Sequence, residues 1–459
     1  MNMINVRRLT VMTFLGAGML SGISAQVSPL QVDTLKETKI PDQWDLQSCI
    51  DYAKEQNITI RKNRITAVST QIDVKTAKAA LFPSLSFSTG HQVVNRPYQE
   101  TSSRVSGSEI ISSNSKTSYN GNYGLNASWT LYNGNKRLKT IQQEKLNNQM
   151  AELDVATSEN NIQESIAQVY IQILYAAESV KVNENTLQVS IAQRDRGQEL
   201  LNAGSIAKSD LAQLEAQVST DRYQLVTAQA TLEDYKLQLK QLLELDGENE
   251  MNIYLPALSD ENVLAPLPTK RDVYISALSL RPEIEASKLN VEASELGINI
   301  AKSSYFPTIS LSAGIGTNHT SGSDFTFGEQ VKNGWNNSIG LSVSVPIFNN
   351  RQTKSAVQKA KLQYETSMLS LLDEQKALYK TIESLWLDAN SAQQRYAAAN
   401  EKLKSTQISY ELISEQFNLG MKNTVELLTE KNNLLQAQQE QLQAKYMAIL
   451  NTQLLKFYQ

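Results

Sequence analysis

Two periodicities divide the chain. Ile162, Ile166, Val169, Ile173, Val180, Leu187 and Ile191 fall at the alternating three- and four-residue spacing of one seam along a long helix. The second half carries a longer seam: Leu378, Ile382, Leu385, Ala389, Ala392, Tyr396, Ala399, Leu403, Thr406, Tyr410, Ile413 and Phe417. From Asn135 to Asn202 there is no proline, and Gly197 is the one glycine. At about 1.5 Å per residue, arms of roughly 70 residues reach about 100 Å. Each seam ends at a glycine, Gly204 or Gly420, and a second periodic segment follows, Leu211 to Leu242 and Leu428 to Ile449. Glycine just past a helix end takes the left-handed cap conformation, so the pattern predicts two antiparallel helical hairpins with tips at Gly204 and Gly420.

The other period is two. Tyr123, Leu125, Ala127, Trp129 and Leu131 alternate with Gly124, Asn126, Ser128 and Thr130, and Ile339, Leu341, Val343, Val345 and Ile347 alternate with Gly340, Ser342 and Ser344. Two more strands follow Pro83 and Pro307: Leu85, Phe87 and Thr89 against serines, and Ile309, Leu311, Ala313 and Ile315 against Ser310, Ser312 and Gly314. Strands of about 9 to 11 residues with one apolar face and one face of small polar residues suit a barrel with lipid outside and water inside. A soluble sandwich also alternates, but it explains neither the long helices running on from the strands nor the polar stretches Asn95 to Ser118 and Thr317 to Asn337. Four strands cannot close a barrel, and an open edge in hydrocarbon leaves backbone groups unpaired. The chain must therefore oligomerise, with two copies giving a nearly filled eight-stranded barrel and three a wider twelve-stranded one.

The whole design occurs twice. Ala80-Leu81-Phe82-Pro83-Ser84-Leu85-Ser86-Phe87 returns as Ser304-Tyr305-Phe306-Pro307-Thr308-Ile309-Ser310-Leu311, and Leu131-Tyr132-Asn133-Gly134 returns as Ile347-Phe348-Asn349-Asn350. Leu201-Asn202-Ala203-Gly204 is echoed by Phe417-Asn418-Leu419-Gly420. The expected organisation is a first repeat over residues 26–246, an equatorial linker over 247–270 and a second repeat over 271–459.

Composition narrows the class. A net charge of −4 over 459 residues offers no footprint for nucleic acid. Arg7 and Arg8, the apolar run from about Leu9 to Ile23 and Ser24-Ala25 read as a secretory signal over residues 1–25. No later segment has the roughly 18 to 20 apolar residues of a transmembrane helix. Cys49, the single cysteine, reads as a small half-buried helix residue. His91 and His319, each just after a predicted strand, have no cysteine or second histidine at ligand spacing and read as loop residues, so neither metal nor cofactor is expected. No phosphate loop or nucleophile elbow is present, so no enzyme is expected.

The chain resembles the TolC-like outer-membrane efflux protein family, the outer-membrane factors of tripartite pumps. The resemblance rests on the duplicated order of helix, strand pair and hairpin, on Phe82-Pro83 and Phe306-Pro307, on Pro346-Ile347-Phe348-Asn349, on Leu280-Arg281-Pro282-Glu283, and on the tips at Gly204 and Gly420. It implies a membrane α+β fold: a homotrimer whose twelve-stranded outer-membrane barrel, four strands per chain, continues as a long periplasmic α-helical barrel. It further implies an exit duct for efflux or type I secretion, a periplasmic adaptor (membrane fusion) protein, an inner-membrane pump of RND or ABC type, and outer-membrane lipid. Carried over by position, Asp210 and Glu426 stand at acidic gate positions, Lys422 at the basic one and Phe417 at its aromatic partner, while Gly204, Ser205, Gly420 and Met421 form the adaptor-docking tips. Thr429 stands where the family can carry a second ring carboxylate. The equatorial girdle would come from the segment before Trp44 and the connection bearing Pro256, Pro266 and Pro268. The competing reading is a periplasmic structural coiled-coil or adaptor protein.

Overall fold

Helix lengths repeat across the molecule. The computed structural model describes residues 40–98, 102–106, 109–113, 116–246, 251–256, 263–321 and 325–459, and Pro41 to Gln459 form one unit. The signal segment lies outside the described residues. The chain begins with α1 (Leu46–Gln56) and α2 (Ile58–Ala79), then β1 (Ser84–Asn95), a loop hairpin of β2 (Ser102–Ser106) and β3 (Glu109–Ser113), and β4 (Thr117–Asn133). Next come α3 (Lys136–Asn202) and α4 (Lys208–Leu242). The second half supplies α5 (Lys270–Leu280), α6 (Pro282–Lys302), β5 (Thr308–Thr320), α7 (Phe327–Asn333), β6 (Asn336–Ser344), α8 (Gln352–Asn418) and α9 (Thr424–Lys456). The long helices α3 and α8 have 67 residues each, and α1 and α5 have 11 each.

Single residues make the breaks. Asn57 divides α1 from α2, its side chain accepting from the Thr59 amide at 2.9 Å and donating to the Leu242 carbonyl at 3.0 Å. Arg281 divides α5 from α6, where Pro282 enters as the first helical residue, the position at which its missing N–H costs nothing. At the returns from strand to helix, two successive residues are left-handed in each half: Gly134 and Asn135 in the first, Asn350 and Arg351 in the second. A Cβ on Gly134 would meet the Ser303 carbonyl at 2.6 Å, so backbone proximity as well as φ restricts that position to glycine.

The core forms a belt around the middle of the long helices. Trp44, buried, pairs in a parallel bridge with Ile253, and it packs with Cys49, Ile50 and Ala53 of α1 against Ile166, Tyr170 and Ile173 of α3 and Leu442 and Tyr446 of α9. Cys49 is fully buried rather than half-buried, because α1 is clamped between this bridge and α3, and desolvation pushes its thiol up to about 12. A second cluster joins Val273 and Ala277 of α5 and Ile284 of α6 to Leu378 and Ile382 of α8. Arg281 fixes this corner. Its guanidinium lies 2.8 Å from Glu164 of α3, 3.0 Å from Glu283, and 3.8 Å over the ring of Tyr458.

The sheet has no such core. Its order is β1-β4-β5-β6, all antiparallel, with β4–β5 joining the two halves and with both outer edges open. The register keeps each kind of residue on one side: Leu85, Ala127, Ala313 and Ile339 form one row, and Ser84, Ser128, Ser312 and Gly340 the next. All nine residues of β6 are exposed, with Ile339 at 83%. A bulge between Thr130 and Tyr132 takes Leu131 out of register. Three boundaries differ from the sequence reading. Strand β4 runs well before Tyr123, β6 ends at Ser344 ahead of Pro346, which lacks a ladder donor, and the polar stretches hold the β2–β3 hairpin and α7.

Replacing Arg281 with Ala strands two half-buried carboxylates and is expected to cost about 3 kcal/mol or more. Thermal unfolding of the detergent-solubilised protein reads this; a shift no larger than that of the exposed Lys288→Ala would contradict the assignment.

Candidate functional site

The two hairpin tips are built alike. Gly204 and Gly420 both have φ of 74°. The Ser205 amide donates to the Leu200 carbonyl at 2.8 Å and the Met421 amide to that of Gln416 at 2.9 Å, the longer bond of a Schellman closure. No atom lies within 4 Å of a Cβ at either glycine, so the left-handed backbone alone requires glycine there. Each following helix starts on a carboxylate at its third position. Asp210 accepts from the Ala207 amide at 3.0 Å, and Glu426 from the Asn423 amide at 3.3 Å while Asn423 accepts in return from the Glu426 amide at 2.9 Å.

The tips differ in charge and exposure. Lys422 donates to Glu426 Oε1 at 2.6 Å, and this bond holds the Glu426 carboxyl below its usual range. Phe417 is buried, as are Thr424 and Leu427, so within one chain its ring supports the second tip from inside. Leu419, Met421 and Val425 stand out from it, 70%, 71% and 58% exposed. The structure thus brings Lys422 and Glu426 into contact, places Asp210 on the first tip and keeps Phe417 inward.

A charged cluster that the sequence reading missed ties the hairpins together between belt and tips. Lys431 of α9 donates to Asp221 of α4 and to Ser190 of α3, and Ser190 donates to Asp221; all three are at most 3% exposed. Gln217 supplies the other Asp221 oxygen with a donor at 2.9 Å and reaches Asn432 at 3.3 Å. Burial pulls the Lys431 ammonium below its ordinary range, and Asp221 opposes that shift. A signal was present: Asp221 falls between Val218 and Leu225, and Lys431 between Leu428 and Leu435, at seam positions where an apolar residue is expected. The histidines also depart from expectation, since His91 and His319 lie within β1 and β5, not in loops, and the register sets them on either side of Gly121.

Known proteins share this architecture. The structure superposes on the solved CusC channel with a TM-score of 0.75 at 18% identity, covering 90% of this chain and 91% of that one. It superposes on VceC of Vibrio cholerae with a TM-score of 0.73 at 15% identity, covering 90% and 95%. These likenesses establish the fold, that of an outer-membrane channel with a long helical extension. The chain belongs to the family described as Outer membrane efflux protein, which matches residues 49–244 and 273–457. Among its relatives, the outer membrane efflux protein BepC of Brucella suis is 24% identical over 63% of this chain and 60% of its own length. TolC of Escherichia coli is 24% identical over 62% and 58%, and toxin and drug export protein A of Aggregatibacter actinomycetemcomitans 22% identical over 90% and 87%. The chain thus spans about three fifths of the length of BepC and TolC. It resides in the outer membrane, with its long helices in the periplasm, and its family and structural neighbours are channels.

Removing one partner of the buried cluster leaves the other charge uncompensated. Lys431→Met is expected to destabilise the helical body by about 3–5 kcal/mol, and Lys431→Met with Asp221→Leu to recover most of that. Thermal unfolding followed by the helical signal checks it; equal losses in single and double variants would contradict the pairing.

Proposed function

We propose that three copies assemble into a closed twelve-stranded barrel continued by a helical tunnel, and that this duct passes substrates out of the cell once its tips open. One observation carries the reading: a four-stranded sheet with a largely uncovered apolar face and two open edges continues into hairpins that each have one 67-residue arm. In lipid the edges must pair with other strands, and a second and third chain supply them. The matched lengths of the two halves, and a family match that falls once in each, support an internal duplication over residues 26–246 and 271–459 about the 247–270 linker.

The tips are the proposed gate. Threefold symmetry repeats Asp210, Lys422 and Glu426 around the tunnel mouth, where converging carboxylates favour cations and repel one another. Within each chain the Lys422 contact offsets part of that repulsion. Gly204, Ser205, Gly420 and Met421 form the docking surface for a periplasmic adaptor, and the exposed Leu419, Met421 and Val425 favour an apolar groove on that partner. An inner-membrane pump supplies energy, and the duct itself carries out no reaction.

The test separates charge from capping. Asp210→Asn with Glu426→Gln keeps an acceptor at each helix start while removing both charges. In planar bilayers the double variant is expected to lose most cation selectivity and to pass a larger current. Unchanged selectivity and conductance would remove both residues from the gate.

A further inference from the structure

The chain has two histidines, and the sheet sets them in one row. His91 of β1 is in register with Gly121 of β4, and Gly121 with His319 of β5. Residues in register on neighbouring strands share a face, so the two imidazoles flank the one member of the row that has no side chain. Both occupy the space that glycine leaves. A Cβ on Gly121 would stand 2.7 Å from Nδ1 of His319 and 3.2 Å from Nδ1 of His91.

Aromatic rings flank the pair, in which His91 is exposed and His319 half-buried. Tyr119 stacks on His91 at 5.7 Å and meets His319 edge-on at 5.3 Å, Tyr123 lies 5.4 Å from His91, and Phe327 of α7 closes the His319 side at 4.9 Å. His91 is satisfied at both nitrogens, by the Tyr119 hydroxyl at 2.7 Å and Thr89 Oγ1 at 3.1 Å. His319 is not: its Nδ1 is buried without a hydrogen-bond partner. A nitrogen of this kind takes its partner from outside the chain, a water or an ion.

We propose that this pair is a transition-metal site, with one divalent ion of the zinc class held per chain between Nδ1 of His91, where it displaces the Tyr119 hydroxyl, and Nδ1 of His319. The chemistry favours that class. Two neutral imidazoles are ligands for zinc, nickel and copper, whereas calcium and magnesium require oxygen donors. The Tyr119 hydroxyl at the edge of the gap is a third donor, to the ion or to a water on it, and the remaining positions are left to water. A bound ion would staple the edge strand β1 to β5 across β4 at the loop end of the sheet, on the same face as Phe87, Leu125 and Trp129. The site follows from strand register alone and is independent of the gate and its partners.

Zinc titration of the purified protein, carrying no histidine tag and first stripped with a chelator, tests the site by calorimetry. One ion per chain in the micromolar range is expected, weakened about tenfold or more by either His91→Ala or His319→Ala. Glu329→Gln on α7, whose carboxylate caps Thr326, should bind like the parent. Absence of saturable binding, or either histidine variant binding like the parent, would overturn the proposal. Should the alanine variants fail to assemble, acylation of the unaltered protein's histidines carries the test. Saturating zinc should protect both, and unprotected histidines would overturn it.

Discussion

Everything in this molecule depends on the hydrogen bonds along two strand edges. Among the described residues, strands β1 and β6 each present an open row of backbone donors and acceptors, and the sheet's apolar side is covered only at its loop end, by α7. In water such a sheet would collapse or aggregate, and in hydrocarbon each unpaired group would cost several kcal/mol. The proposed closure with other copies would remove both problems. It would also leave the small polar rows of Ser, Asn and Gly facing a lumen.

The helices carry that constraint to the far end. Strand β4 passes into α3 through Gly134 and Asn135, and the return to α8 passes through Asn350 and Arg351, so each long helix starts from a left-handed junction. The belt of Trp44, Cys49 and Tyr170 with the Arg281 corner then holds the short helices against the long ones at mid-length. Beyond it, the Lys431, Asp221 and Ser190 cluster is a buried charged tie between the hairpins. Buried charges pair only with particular partners, so the cluster favours one lateral arrangement of α3, α4 and α9 over sliding along apolar seams.

The helices and strands were legible because their periods are local. Glycine at 204 and 420, the heptad seams and the alternation at Leu125 to Trp129 each show in a short window. What escaped depends on pairs distant in sequence. Asp221 and Lys431 interrupt apolar seams, but only the packing of α4 against α9 shows that they meet. His91 and His319 looked isolated because no ligand stood near either in sequence, and the strand register joins them across Gly121. The candidate gate was legible as positions. Its capping contacts, and the Lys422 bond to Glu426, required the fold.

The most direct test of the central claim is the native mass of the protein extracted from outer membranes in mild detergent, with bound detergent subtracted. The account predicts a particle close to three times the 51.1 kDa of one chain. A monomer or dimer that stays soluble without detergent would contradict it, because the edges of β1 and β6 would then need no partners.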